Sequence, residues 1–130
     1  MSEQLNDIII LINDEQVAYT ADSLKWKDGL GDSSVRNAVL GGGQTEPVFS
    51  TDLASKVGMV SFSMPTTIEN EAKKRKWKLN KNNNVVELIG PSGSNFSKAF
   101  TLAGILGDPE SNAATDGNIE IEFNSKPANS

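Results

Sequence analysis

The sequence predicts a mainly β protein, a β-sandwich or barrel with one α-helix on its outside and one long extended loop. Three observations predict it. Apolar and polar residues alternate in several short segments, one segment carries helix-capping residues, and one glycine-rich segment is too poor in apolar residues to join a core. At 130 residues, of which 37% are hydrophobic, the chain has room for one domain, residues 1–130.

Several strands are predicted in the first half of the chain. Residues 8–12 are a run of Ile and Leu that favours a strand. Alternation starts again at Gln16 and changes phase near Asp22, which indicates a bulge or a break between two short strands. Residues 56–64 alternate most clearly, with large apolar side chains on one face and serines on the other, and predict a half-buried strand.

Residues 28–49 predict the long loop. Five glycines and only four bulky apolar residues occur between Asp28 and Gln44, so this segment cannot supply much core. We predict an extended loop or a protruding hairpin. Long segments of this kind are uncommon in compact domains unless they are functional. Its apolar residues need a partner surface, and a surface on another subunit fits that need.

One segment, residues 66–79, predicts a helix. Thr66 is the expected N-cap, in a capping box with an acid three residues later. Ile68, Ala72 and Leu79 share one face at helical spacing. Acidic residues in the first turn and basic residues in the last match the helix dipole.

Three further strands are predicted after the helix. Residues 85–89 are rich in β-branched side chains, and residues 96–106 favour a longer strand. Residues 119–123 alternate between apolar and acidic side chains. Residues 125–130 are expected to be a free, flexible tail.

The net charge of −5 is unevenly distributed. Residues 73–81 hold six of the twelve basic groups, which leaves six against seventeen acids, or −11, for the rest of the chain. This basic stripe has two interpretations: a nucleic-acid contact with Trp77 stacking on bases, or a solvated helix face that docks an acidic partner. The second is favoured because the acidic remainder would repel a polyanion, and Trp77 is expected to pack against the sheet.

Composition argues against an enzyme. Cys and His are absent, which excludes thiol nucleophiles, the usual zinc sites and the commonest general base. No phosphate loop, dinucleotide fingerprint or complete calcium loop occurs, so we expect no catalytic residue, cofactor or metal. Glu120 and Glu122 face one side of a strand, and we interpret them as surface acids rather than a catalytic pair. No apolar run is long enough for a membrane anchor, and no signal peptide is recognisable.

Several segments, taken in order, resemble the tail tube proteins of long-tailed phages, especially those with contractile tails. The segments are residues 23–29, 34–36, 41–43, 48–50, 57–70, 84–88 and 116–123. The resemblance implies a β-sandwich with an outer helix whose strands join those of neighbours in hexameric rings. The rings would stack into a tube through which double-stranded DNA is delivered without specific binding. It also implies a place in the virion tail after assembly in the host cytoplasm. Sheath, tape measure and baseplate or terminator proteins would be partners.

The resemblance also implies roles for particular residues. The loop that contacts the adjacent ring would include Leu30, Val35, Arg36, Val39, Leu40, Gly41, Gly42 and Gly43. The helix face toward a sheath would carry Lys73, Lys74, Arg75, Lys76 and Lys78. The channel lining would include the acids Glu120 and Glu122. Two alternatives stay open: a tube protein of a type VI-like contractile injection system, and a small nucleic-acid-binding β-barrel.

Overall fold

The chain folds into nine β-strands and one α-helix within residues 7–39 and 41–129, the part that the computed structural model describes. The elements are β1 (Ile9–Ile12), β2 (Glu15–Val17), β3 (Lys25–Lys27), β4 (Ser33–Val39), β5 (Thr45–Thr51), β6 (Gly58–Pro65), α1 (Ile68–Leu79), β7 (Asn84–Ile89), β8 (Ser97–Ala103) and β9 (Asn118–Ser125). Single 3-10 turns at Gly41–Gly43 and Leu53–Ser55 precede and follow β5.

The strands form three antiparallel sheets. The two larger ones have the orders β2-β1-β7-β8 and β3-β6-β9, and the third is the β4–β5 hairpin. The larger sheets share one core and meet along one side, where Gly104 and Asn124 exchange two backbone hydrogen bonds of 2.9 Å. The predicted fold class, mainly β with a single outer helix, is confirmed.

The core follows from alternation along the strands. In β6 and β9 every second residue is buried, and Phe62 lies opposite Ile121 in register. In β1 and β7 the same alternation places Ile10 opposite Leu88. The largest fully buried side chains are Phe62, Phe100, Phe123, Ile10, Ile12, Met64, Leu88, Ile119, Ile121, Val60, Val86 and Asn84.

The helix differs from its prediction at its start. It begins at Ile68, and its N-cap is Thr67 rather than Thr66, because the Thr67 hydroxyl accepts a hydrogen bond from the Asn70 N–H at 3.1 Å.

The helix packs through Trp77, as predicted for that residue, and not through the face that Ile68, Ala72 and Leu79 share. Ile68 and Leu79 are 90% and 68% exposed, whereas Trp77 is 4% exposed. Its ring centroid lies 6.4 Å from that of Phe62 and 5.8 Å from that of Phe123. One indole buries more apolar area than the smaller aliphatic side chains, so it determines which face of the helix meets the sandwich.

Two predictions for the end of the chain are wrong. The strand expected over residues 96–106 ends at Ala103, since Leu102 has a positive φ of 50° that breaks the alternation. The tail expected from residue 125 onward is paired as far as residue 129. β9 itself extends to Ser125, and residues 126–129 lie along β8 through backbone hydrogen bonds. They cover an edge that would otherwise present unpaired N–H and C=O groups.

Asn84 is the one fully buried polar side chain among the described residues. Its Oδ1 accepts hydrogen bonds from the side chains of Asn13 and Asn80, both at 3.0 Å. Its Nδ2 donates to the backbone carbonyls of Trp77 and Ala103 at 3.0 and 3.2 Å. One amide therefore ties the β1–β2 turn and the end of α1 to β8.

We expect Asn84→Leu to lower the free energy of unfolding by about 2–4 kcal/mol, because a side chain of similar size leaves several buried donors and acceptors without partners. Asn82→Leu is the matched control. Asn82 is exposed in the same turn, so its change is expected to stay within about 0.5 kcal/mol. Urea unfolding of both variants measures the difference, and equal losses would contradict the role assigned to Asn84.

Candidate assembly surfaces

The segment predicted to protrude, residues 28–49, contains most of the β4–β5 hairpin. Its second strand runs two residues beyond the predicted boundary, to Thr51. The two strands pair over seven residues each and with no third strand in the part of the chain described. An isolated two-stranded hairpin is marginally stable in water, so this one needs a further surface to pack against.

The hairpin has one apolar face. Val35 lies directly opposite Phe49, and Val39 is four residues from Val35 on the same face. These side chains are 59%, 72% and 82% exposed, in that order. On the other face Arg36 lies opposite Val48. The hairpin thus presents to solvent the face that a strand normally buries.

The remaining residues predicted for this loop lie at its ends. Leu30 precedes β4 and is 79% exposed. Gly41–Gly43 form the tip, where Gly42 and Gly43 both have φ of 79°, a region that favours glycine. Leu40 lies outside the described residues.

A groove of about 630 Å³ lies at the base of the hairpin. Leu30, Val57 and Met59 contribute apolar surface to it, and Asp32 and Glu122 contribute negative charge. A groove of mixed chemistry beside an uncovered apolar hairpin is a candidate receiving surface for a second copy of the chain.

Three of the five helix cations predicted to face outward are engaged within the chain. Lys73 Nζ lies 3.3 Å from a carboxylate oxygen of Glu15, and Lys74 Nζ lies 2.8 Å from one of Glu71. Lys78 Nζ donates to two backbone carbonyls after β8, at 2.8 and 3.0 Å. Lys73 and Lys78 tie α1 to the rest of the fold, and so does Lys74, whose Nζ also donates to the Ser111 hydroxyl at 2.9 Å.

The exposed face of α1 is both apolar and basic. Arg75 and Lys76 are exposed, and so are Ile68, Ala72 and Leu79. This face therefore offers aliphatic surface next to two positive charges, a combination that fits an acidic partner with apolar side chains.

The geometry argues against the nucleic-acid interpretation of the same stripe. Trp77 is buried and cannot stack on a base. With three lysines engaged inside the chain, fewer cations remain to neutralise phosphates.

Glu120 and Glu122 lie exposed on the outer face of the β3-β6-β9 sheet. That face also carries the exposed Lys25 and Lys27 of β3, and Lys25 lies in register with Ser61, which lies in register with Glu122. The proposed lining therefore carries both signs of charge, which the sequence-based expectation of an acidic face omitted.

Two titratable groups have shifted pKa values. Hydrogen bonds from Lys74 and Ser111 hold the pKa of the Glu71 carboxyl below its usual value. Burial, with a smaller contribution from Asp7, raises the pKa of Tyr19. The lowered pKa of Glu71 reflects the contacts that anchor α1. The Tyr19 hydroxyl donates a hydrogen bond to the Ile8 carbonyl at 2.6 Å.

Within residues 7–39 and 41–129, no group of three or more acidic residues could hold a metal ion. No helix among the described residues is long and apolar enough to cross a membrane.

Comparison with known proteins gives a likeness of fold. No protein-family model and no curated protein sequence matches the chain. Two solved structures share the fold. One is the anti-feeding prophage cap, a tube-terminating cap, with a TM-score of 0.63 and 12% identity over 99% of this chain and 91% of that chain. The other is the PVC sheath–tube complex of an extracellular contractile injection system in the extended state, with a TM-score of 0.57 and 10% identity over 94% and 86%.

Proposed function

We propose that this chain is a structural, non-enzymatic subunit of a phage tail-like tube, in which copies join into hexameric rings and the rings stack around a channel. The observation that carries the proposal is the exposed apolar face of the β4–β5 hairpin, on a domain whose core is otherwise complete. Burying a large apolar side chain stabilises a contact by about 1.5–3 kcal/mol. Burial of three such side chains favours association and opposes the loss of translational and rotational freedom that association costs.

Stacking follows from where these surfaces lie. The apolar hairpin face and the groove at the base of the hairpin are different surfaces of one molecule. A contact between two different surfaces is head-to-tail, so each copy can receive the hairpin of the next, and the series continues as an open stack unless the rotation between copies closes it into a ring. Such a contact supports an open-ended stack rather than a closed dimer.

Ring formation is assigned to the free strand edges. β2 and β3 are the outermost strands at one side of the two large sheets. Pairing with a neighbour would satisfy their backbone groups and remove exposed edges. The hexameric number comes from the resemblance to tail tube proteins.

The two similar structures support the role, since one is a tube-terminating cap and the other a sheath–tube complex. The sheath–tube complex comes from a contractile injection system and favours a second candidate, a tube protein of such a system. The two candidates share one assembly and differ in what passes through the channel. Particles that contain this chain and protect DNA from nuclease would favour the phage tail. Particles without protected DNA would favour the injection system.

In the phage candidate the particle is a virion tail assembled in the host cytoplasm. The tube would contact tape measure, baseplate or terminator proteins and a sheath. Glu120 and Glu122 are proposed to face the channel, where negative charge limits adhesion of DNA. Lys25 and Lys27, on the same face, would moderate that repulsion.

Negative-stain electron microscopy of the purified protein tests the assembly. Open-ended tubes of stacked rings are the expected result. Single rings that never stack would instead support a terminating cap, as in one of the similar structures. A protein that stays monomeric at all concentrations, in the absence and presence of preformed tube ends, would contradict the proposal.

We further propose that a sheath docks on the exposed face of α1. Arg75→Gln combined with Lys76→Gln is expected to leave tube formation intact and to weaken sheath binding about two- to thirtyfold, because exposed ion pairs contribute roughly 0.2–1 kcal/mol each. Co-sedimentation of sheath with preformed tubes, at low and high salt, measures the change.

The control for this pair is Lys25→Gln combined with Lys126→Gln, which makes the same change in net charge with two exposed lysines away from α1. Sheath binding should be unchanged in the control. Equal weakening by both pairs would show that overall charge, and not the α1 face, attracts the sheath.

A further inference from the structure

The C-terminal segment, residues 126–129, is held on β8 by its backbone. Asn129 and Ala99 exchange two hydrogen bonds, of 2.7 and 2.9 Å, and the Lys126 N–H donates to the Thr101 carbonyl at 3.1 Å. The segment therefore extends the four-stranded sheet by a short stretch of chain. Its position brings it next to both ends of the longer segment, residues 28–58, that carries the β4–β5 hairpin.

At the entry to the hairpin region, Asp28 and Gly29 contact this segment. The Ala128 N–H donates to the Asp28 carbonyl at 2.8 Å. Gly29 has φ of 87°, and a Cβ there would lie 2.9 Å from Pro127 Cα, so only glycine allows this approach. The Asp28 carboxylate also lies 3.0 Å from Lys98 Nζ on β8, with both side chains largely buried.

At the exit, Gly58 contacts the same segment. A Cβ on Gly58 would lie 2.5 Å from the Lys126 carbonyl oxygen and 2.9 Å from the Phe100 ring. Gly58 also pairs in register with Ser125, the last residue of β9. Residues 126–129 therefore contact the chain both where it leaves the sandwich and where it returns to it.

Between these two points, no comparable backbone contact among the described residues holds the hairpin against the sandwich. β4 and β5 pair only with each other among the described strands. The base of the hairpin is closed by hydrogen bonds between residues on its two sides. The Asp52 N–H donates to the Asp32 carbonyl at 2.8 Å, and the Asp32 N–H donates to the Ser55 hydroxyl at 2.6 Å. These bonds keep the hairpin paired but do not orient it relative to the sandwich.

We propose that residues 126–129 are a positioning clamp that orients the β4–β5 hairpin for docking onto a second copy of the chain. This inference rests on the proposed tube function. A hairpin that samples many orientations must lose that freedom when it docks, which weakens association. The clamp restricts the orientation of the hairpin before it docks. The docking residues of the hairpin and the residues of the clamp lie about eighty positions apart in the sequence.

The test compares the full chain with a chain that ends at Ser125. Hydrogen exchange of the monomer, followed by mass spectrometry, is expected to show at least tenfold faster exchange at the hairpin roots, residues 28–32 and 52–57. Amides of β6, β7 and β9 should keep their protection. The protein concentration needed for tubes should rise at least tenfold in the shortened chain.

A second variant tests the clamp if hydrogen exchange in β6, β7 and β9 also becomes faster in the shortened chain. Ala128→Pro keeps the full chain and removes the N–H that donates to the Asp28 carbonyl, and it should speed root exchange about threefold. Lys126→Ala is the control, because that exposed side chain contributes only backbone atoms to the clamp, and it should change neither readout.

Unchanged root exchange in the Ala128→Pro variant would overturn the clamp. So would a shortened chain that keeps its fold and assembles normally. If the roots exchange faster as expected but the full chain never forms tubes, the clamp stands as a structural device and the proposed function fails.

Discussion

Phe49→Thr is expected to raise the protein concentration needed for tube assembly at least tenfold while leaving the stability of the monomer within about 0.5 kcal/mol of the original. Phe49 is 72% exposed in the monomer, opposite Val35 on the apolar hairpin face. Its burial at a contact contributes about 1.5–3 kcal/mol, and about 1.4 kcal/mol corresponds to a factor of ten in an equilibrium constant. Pelleting assays over a range of concentrations measure the assembly, and urea unfolding measures the monomer.

The matched control is Val48→Thr, the same replacement at the adjacent residue of β5. Val48 lies on the opposite face of the hairpin, across from Arg36. Since neighbouring residues of a strand point to opposite faces, the control changes side-chain chemistry at the same place along the strand. Assembly should be nearly unchanged. If Val48→Thr impairs assembly as much as Phe49→Thr does, both faces are buried in the tube and the single-face interpretation is wrong.

Sequence patterns predicted those parts of the fold that depend on local alternation. β6 and β9 were predicted because their side chains alternate between a buried and an exposed face, and their pairing places Phe62 opposite Ile121. The protruding segment was predicted from composition, since its glycines and few apolar residues cannot form a core. Alternation depends on residues close together in the sequence, which explains why β6 and β9 could be predicted.

The features that were missed depend on contacts between distant residues. Residues 126–129 attach to β8 through backbone N–H and C=O groups, which every sequence possesses, so no side-chain pattern marks them. The cations of α1 were predicted to face outward, but Lys73 pairs with Glu15, a partner far away in the sequence. Only the three-dimensional structure identifies Arg75 and Lys76 as the exposed cations within α1.

The helix face gives the sharpest contrast between sequence and structure. Helical spacing groups Ile68, Ala72 and Leu79, yet two of these are among the most exposed large apolar side chains and Trp77 is buried instead. Periodicity identifies which residues share a face, but it cannot identify which face meets the core when the apolar residues are divided between two faces. The sandwich provides space beside Phe62 and Phe123 that an indole ring fills.

Trp77→Ala is therefore expected to lower the free energy of unfolding by about 3–5 kcal/mol, the usual cost of removing a large aromatic side chain from a core. That is a large share of the roughly 5–15 kcal/mol that stabilises a typical domain. Urea unfolding followed by circular dichroism measures the change, and Trp26 remains as a fluorescence probe. Trp26 lies against Phe96, with ring centroids 5.5 Å apart, and so reports on a different part of the sandwich.

Leu79→Ala is the control on the same helix. Leu79 is 68% exposed, and alanine favours helix at least as well as leucine, so the change should stay within about 0.5 kcal/mol. If Leu79→Ala lowers the free energy of unfolding as much as Trp77→Ala does, the result would support packing through the face that helical spacing alone predicts. A small loss at Leu79 together with weaker sheath binding would separate the two faces of α1, because Trp77 would then stabilise the fold and the outer face would serve only the assembly.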